Sequence, residues 1–176
     1  MNESAPRPVC MTIAGVDPSG GAGVLADIKT FSHHGCFGTG AITSLTFQNT
    51  TGVFGAASQS AETVFEQIKA VAEDMSIAAV KTGMLPTREV IETVARSFEE
   101  FRLPNIVVDP VVRSTSGFDL IDDEALAALV EKLFPLAVVV TPNLAEAERI
   151  VGSKIASLDE MHTAGKEMLA LVLRPC

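Results

Sequence analysis

The residues best suited to chemistry stand just after apolar, strand-like runs. Asp109 follows Ile106-Val107-Val108, and Glu146 comes shortly after a run of three valines, with Asn143 three positions before it. Mg²⁺ prefers oxygen ligands and commonly takes one or two carboxylates together with substrate phosphates. Residues three apart also share one face of a helix. We therefore predict that Asp109 and Glu146 bind a metal ion, with Asn143 on the same helix face as Glu146.

A glycine-rich run follows the first apolar segment. It reads Asp17-Pro18-Ser19-Gly20-Gly21-Ala22-Gly23 and opens a predicted helix. Glycine lets the backbone approach a ligand closely, and a helix start offers unpaired N–H groups. The run has neither the Gly-Lys-Ser/Thr of a Walker A loop nor the G-x-G-x-x-G spacing. It is either a ligand-binding loop or a tight strand-to-helix turn, and we predict that Asp17 itself is a turn residue.

The type and spacing of the other polar residues do not by themselves decide their roles. Asp27, one turn into the first helix, is either a solvated carboxylate near the positive end of the helix dipole or a ligand-binding group. Gln48 ends a strand, and its amide offers both a donor and an acceptor. Lys81 is interpreted as a strand-end residue rather than a catalytic lysine. Three histidines lack metal-ligand spacing and are interpreted as surface residues: His33, His34 and His162.

Strand-like and helical patterns alternate along the chain. The predicted strands cover 9–15, 41–47, 77–81, 105–109 and 136–141. The predicted helices cover 22–34, 61–75, 88–101, 122–134 (capped by Asp122 or Asp123), 143–151 and a last one from 158. This alternation predicts a three-layer α/β/α fold around a mainly parallel sheet, with ligands at the carboxyl ends of the strands. The fifth strand is apolar on both faces, which is typical of a central strand.

Composition limits the class of protein. In 176 residues, 47% hydrophobic, we expect one domain over 9–176 after a flexible segment 1–8. The net charge of −9 and the lack of a basic cluster argue against nucleic-acid binding. Without an apolar run of about 18 residues or a secretion signal, we expect no membrane span and a cytoplasmic location. Cys10, Cys36 and Cys176 show no paired spacing, so we expect reduced thiols.

Five ordered motifs give the chain a family resemblance. They are Ala14-Gly15-Val16-Asp17-Pro18-Ser19-Gly20-Gly21-Ala22-Gly23, Gln48-Asn49-Thr50, Lys81-Thr82-Gly83-Met84-Leu85, Val108-Asp109-Pro110-Val111 and Thr141-Pro142-Asn143-Leu144-Ala145-Glu146. Together they resemble the hydroxymethylpyrimidine/phosphomethylpyrimidine kinases of thiamine biosynthesis, in the ribokinase-like superfamily. The resemblance implies a ribokinase-like fold and ATP-dependent phosphorylation of hydroxymethylpyrimidine and its monophosphate, with Mg²⁺. We leave open a homodimeric assembly.

The resemblance also implies roles for individual residues. The positions matching the family's pyrimidine site are Ala22 through its backbone, Asp27, Gln48, Met84 and Val111. Met84 would form an apolar wall against the ring, although ordinary core filling also explains a methionine. The resemblance further implies that Asn143 contacts phosphates and that Asp109 and Glu146 hold Mg²⁺.

The resemblance stops near the C-terminus. The family's Lys-Gly-Gly element and its Gly-Thr-Gly-Cys/Asp loop, which carries the proposed base, have no counterpart here, and Cys176 does not fit that loop. We therefore expect a C-terminally incomplete domain with no catalytic base of its own. We expect residues 1–176 alone to show no appreciable turnover, and the last helix to leave three apolar residues underpacked: Met161, Met168 and Leu169.

Two other functions stay open at this stage. A pyridoxal kinase would also phosphorylate a hydroxymethyl group on an aromatic nitrogen ring. A non-catalytic pyrimidine-binding protein would keep the ring pocket without the nucleotide site. The Gly-Gly-Ala-Gly run together with Asp27, Gln48 and Met84 favours the pyrimidine over the pyridine.

Overall fold

A computed structural model describes residues 6–112 and 120–173. Its strands are β1 (Val9–Val16), β2 (Phe37–Asn49), β3 (Gly52–Ser58), β4 (Ile77–Thr82), β5 (Ile106–Val108) and β6 (Val139–Val140). Its helices are α1 (Gly23–His33), α2 (Ala61–Ala72), α3 (Arg88–Glu100), α4 (Asp123–Ala128), α5 (Leu144–Val151) and α6 (Leu158–Val172). The expectations for the chain termini fall largely on positions 1–5 and 174–176, outside the described residues.

The six strands form one sheet in the order β3-β2-β1-β4-β5-β6. Every neighbouring pair is parallel except β2 and β3, which are antiparallel. Parallel neighbours need a crossover, and here helices supply most of the crossovers. All carboxyl ends of the parallel strands therefore meet at the same edge of the sheet. The predicted α/β fold with a mainly parallel sheet is confirmed.

Helices cover both faces of the sheet because successive strand side chains point to opposite sides. Met11 and Ile13 of β1 are fully buried in the core with Val64 of α2 and Ile91 of α3. Thr12 points to the other side, where its hydroxyl reaches α1. The core is thus largest on the side of α2, α3 and α4.

Helix caps explain several element boundaries. Thr87 caps α3 by accepting a hydrogen bond from Val90 N, as its residue type predicts. Asp122, rather than Asp123, caps α4. Ser157 caps α6, but Glu160 accepts from the N–H of Ala156 and not from the cap residue, so only half of a capping box forms.

Strand β3 was missed by the sequence prediction. Its sequence, Gly-Val-Phe-Gly-Ala-Ala-Ser, is rich in glycine and alanine, which are poor strand formers. Pairing with β2 through a two-residue turn between Asn49 and Gly52 makes it a strand all the same. The same pairing extends β2 to Asn49, whereas its added residues 37–40 pair with β1.

Two further predictions were wrong in detail. The helix predicted to reach residue 134 is α-helical only to Ala128 and continues as a π turn over Leu129–Leu133 and a 3₁₀ turn over Phe134–Leu136. Pro135 explains the change, because it has no N–H to donate and its ring clashes with the preceding turn. The fifth predicted strand is only two residues long and lies at an edge of the described sheet, with Val139 47% exposed. An apolar run indicates that its side chains tend to be buried, but it does not show whether the strand lies in the middle or at an edge of the sheet.

The last helix carries exposed apolar side chains. Only Ala164 of α6 is buried, whereas Met161 and Leu169 are exposed, as predicted, and Met168 is half-buried.

None of the described helices is long and apolar enough to cross a lipid bilayer. Cys10 and Cys36 are free thiols. Burial, together with the neighbouring Cys36 thiol, raises the pKa of Cys10 to about 11.

Candidate functional site

A cavity of about 450 Å³ opens at the carboxyl ends of the strands. This location is where ligands bind in open parallel sheets, and the volume is in the range of small-molecule pockets. All eight predicted site residues line it: Ala22, Asp27, Gln48, Met84, Asp109, Val111, Asn143 and Glu146. They come from segments far apart in the chain, so the fold alone brings them together.

Asp17 organises the glycine-rich loop at one side of the cavity. Its carboxylate accepts hydrogen bonds from Ser19 N at 2.8 Å, Gly21 N at 3.1 Å and Ala22 N at 3.0 Å. Burial raises the pKa of Asp17, but hydrogen bonds from Ser19, the Gln48 side chain and Gly21 outweigh it and hold the pKa below its usual range. The predicted turn role is confirmed. Asp17 thereby holds the backbone N–H groups of Gly21 and Ala22, which lie just before α1, whose N-cap residue Ala22 has no capping side chain.

The loop has a conformation that only glycine adopts easily at Gly23. Its φ is +58°, and a Cβ there would lie 2.2 Å from the carbonyl oxygen of Gly15. The loop therefore crosses directly over the end of β1. This close crossing brings the backbone of Ala22 to the cavity wall, next to Gly15.

Asp27 is held inside the cavity by two neighbours. Its Oδ2 accepts from the Thr12 hydroxyl at 2.6 Å, and both of its oxygens lie 3.1 Å from Lys81 Nζ. Its side chain is only 16% exposed. The interpretation of Asp27 as a solvated helix carboxylate is therefore wrong. The fixed carboxylate faces a space in which a ligand's N–H can donate to it.

The middle of the cavity combines an amide with apolar walls. The Gln48 side chain, at the end of β2, lies near enough to Asp17 to help lower the pKa of that carboxyl. Met84 is buried, and the Thr43 hydroxyl donates to its carbonyl at 2.6 Å, which fixes the segment after β4. Val111 N donates to the Asp109 carbonyl in a tight turn after β5. An amide between apolar walls suits a flat heteroaromatic ring with polar edges.

A pair of carboxylates lies towards α5. Glu146 is only 5% exposed; its Oε2 accepts from Asn143 N at 2.9 Å, while the Asn143 side chain accepts from Glu146 N at 3.0 Å. Burial raises the pKa of Glu146, the backbone hydrogen bonds oppose that rise, and the nearby charge of Asp109 adds to it. In the described residues no cluster of three or more Asp, Glu, His or Cys side chains forms a complete metal site. Two carboxylates that line the same cavity, Asp109 and Glu146, fit a cation that takes its remaining ligands from phosphate and water.

Lys81 has a more central position in the cavity than its place in the sequence predicts. Its Nζ lies 3.1 Å from Asp27 and 3.3 Å from Asp109, so it joins two of the predicted site residues. Its place near the end of β4 agrees with the prediction, but its position in the cavity was missed. The available signal was a lysine within an otherwise apolar central strand, because buried lysines nearly always have a charged partner.

Fold and cavity together define the class of protein. It is an α/β protein whose ligand cavity, at the carboxyl ends of parallel strands, holds ring-binding polar groups at one side and a carboxylate pair at the other. The family model described as phosphomethylpyrimidine kinase matches residues 17–175, and the chain belongs to that family.

Individual relatives agree with this assignment. The hydroxymethylpyrimidine/phosphomethylpyrimidine kinase of Bacillus subtilis is 46% identical over 92% of this chain. The chain spans 59% of that relative's length. The crystal structure of phosphomethylpyrimidine kinase from Clostridium difficile matches with a TM-score of 0.86 and 44% identity, over 94% of this chain and 71% of the other. A Staphylococcus aureus pyridoxal kinase in complex with AMP-PCP and pyridoxal matches with a TM-score of 0.84 and 30% identity, over 94% and 60%.

Proposed function

We propose that this chain supplies the substrate pocket of an ATP-dependent kinase that phosphorylates 4-amino-5-hydroxymethyl-2-methylpyrimidine and its monophosphate for thiamine diphosphate biosynthesis. The observation that carries the proposal is the convergence of the eight predicted residues on one cavity. Membership of the phosphomethylpyrimidine kinase family supports the same chemistry.

The ring-binding half of the cavity suits an aminopyrimidine. The carboxylate of Asp27 accepts from the exocyclic amine, and the Gln48 amide pairs with the ring edge as donor and acceptor. Met84 and Val111 cover the ring faces, and the backbone at Ala22 closes the side under the glycine-rich loop. These contacts orient the hydroxymethyl oxygen towards Asp109, so that binding energy is used for positioning.

The other half suits a phosphoryl donor. Asp109 and Glu146 would hold Mg²⁺, which neutralises charge on the nucleotide phosphates when it is bound. The Asn143 carbonyl oxygen is engaged as the α5 cap, so its NH₂ group is the part that donates to a phosphate oxygen. Glu146 is kept in place by the reciprocal capping bonds, which fixes one metal ligand before any ligand arrives.

The test is calorimetric titration of the chain with hydroxymethylpyrimidine and, separately, with pyridoxine. We expect the pyrimidine to bind and pyridoxine to bind at least about tenfold more weakly, because pyridoxine has no exocyclic amine to donate to Asp27. Tighter binding of pyridoxine would replace the proposal with the pyridoxal kinase alternative. Binding of neither compound would contradict it.

Phosphoryl transfer is tested on the protein expressed from its complete open reading frame. We expect product from ATP and the pyrimidine, and a large loss of kcat in Asp109→Asn and in Glu146→Gln, with partial rescue by added Mg²⁺. Pyrimidine binding without transfer would instead support the non-catalytic binding protein.

A further inference from the structure

The cavity contains a strongly unbalanced set of charges. Its described lining includes four carboxylates, from Asp17, Asp27, Asp109 and Glu146, and a single cationic side chain, that of Lys81. A neutral pyrimidine alcohol can enter such a site without an electrostatic penalty. A phosphorylated pyrimidine carries about two negative charges near neutral pH and would be repelled by the carboxylates.

The ammonium of Lys81 stands between the two halves of the cavity. It is 3.1 Å from Asp27, on the ring-binding side, and 3.3 Å from Asp109, on the side of the carboxylate pair. Its side chain is 21% exposed, so a ligand in the cavity can reach it. The lysine lies on β4 and is paired in register with Thr12 of β1, which places it on a rigid central strand.

We propose that Lys81 determines whether the pocket accepts the phosphorylated form of its substrate, by pairing its ammonium with the substrate phosphate. The inference rests on the proposed function. Lysine is suited to this role because its compact charge and three donors contact a carboxylate and a phosphate oxygen at the same time. With Asp27 still holding one side of the ammonium, the phosphate takes the direction now occupied by Asp109.

The distinction between pairing the phosphate and merely ordering the aspartates can be measured. A lysine that only orders Asp27 and Asp109 affects the alcohol and the monophosphate equally, because both forms share the ring. A lysine that pairs with the phosphate affects mainly the monophosphate. The ratio of the two dissociation constants therefore separates the two roles.

The experiment is calorimetric titration of wild type, Lys81→Gln and Lys81→Arg with both ligands, each variant first checked for folding by circular dichroism. We expect Lys81→Gln to weaken monophosphate binding at least about tenfold more than alcohol binding, and Lys81→Arg to keep the wild-type ratio within a few fold. Lys154→Gln is the matched control, since Lys154 also pairs with a carboxylate, that of Glu148, but is 89% exposed and outside the cavity. An equal loss for both ligands in Lys81→Gln overturns the inference.

Two outcomes distinguish a failure of this inference from a failure of the proposed function. If the wild type binds the alcohol and the ratio is unchanged in Lys81→Gln, the inference fails and the function stands; if the wild type binds neither ligand, the function fails. If Lys81→Gln binds nothing, ³¹P NMR titration of the monophosphate bound to wild type decides. Pairing with Lys81 lowers the second phosphate pKa below its free value of about 6, whereas the carboxylates alone would raise it.

Discussion

Gln48 is the residue with the most direct test of ring recognition. In Gln48→Ala we expect pyrimidine affinity to fall by about 1–3 kcal/mol, because the ring edge loses its hydrogen-bonding partners. Calorimetry measures the affinity, and thermal unfolding checks that the fold is kept. Gln59→Ala, at the exposed end of the hairpin and outside the cavity, is the control, and affinity in Gln48→Ala equal to that control would contradict the pocket assignment.

Glu146 should make stability depend on pH. Its pKa is raised in the folded protein by burial, so its contribution to stability is complete below the pKa of the unfolded chain and is lost as pH rises through the folded pKa. Glutamine cannot lose a proton and still completes the capping box. In metal-free buffer we therefore expect the Tm of Glu146→Gln, relative to wild type, to increase from pH 4 to pH 7.

Glu148, on the same helix, provides a control of opposite sign. Its pKa is lowered, first by the hydrogen bond from Ile155 N and then by that from Lys154, so its stabilisation is present above the unfolded pKa and disappears as pH falls. The Tm of Glu148→Gln should fall relative to wild type over the same rise in pH. Parallel pH profiles for the two variants would show that the burial of Glu146 is not the cause.

At the scale of the secondary-structure elements, two glycine-to-alanine substitutions give a matched pair of predictions. Gly23→Ala should destabilise the protein by about 1–3 kcal/mol, because φ is +58° and the new Cβ would collide with the Gly15 carbonyl. Gly165→Ala should stabilise it by about 0.5–1 kcal/mol, because this glycine lies inside α6 with open space around it. Chemical denaturation measures both, and a stabilised Gly23→Ala would contradict the described loop.

Elements also show the limits of pattern reading. The helices around Val64 and Val90 follow the 3.6-residue period, and the sequence places them correctly because one face of each must be buried. Strand β3 has no such pattern, since its glycines and alanines form a strand only because β2 lies beside them. Strand β6 has a strong apolar pattern, yet in the described sheet it is a two-residue edge strand.

At the scale of the whole molecule, the exposed apolar side chains of α6 and β6 should cause self-association. Leu169 of α6 is 55% exposed and Val139 of β6 is 47% exposed, and β6 is the last strand at one edge of the described sheet. We expect sedimentation velocity to show association that increases with concentration and is weakened in Leu169→Glu. Thr163→Glu adds the same charge on another face of α6; an equal effect of both variants would mean that charge, not the apolar surface, controls association.

The sequence by itself determined the class of fold and most element positions, and together with the family resemblance it named the eight residues that line the cavity. Hydrophobic period, caps and strand-end polar residues are local signals, and in a parallel sheet the strand ends necessarily share one edge. Only the tertiary structure decided which of these side chains contact one another. Lys81 joins Asp27 to Asp109, and Asp17 holds the glycine-rich loop next to Gln48. These contacts link residues up to 54 positions apart, and such distances are set by how strands and helices pack rather than by any neighbouring residue.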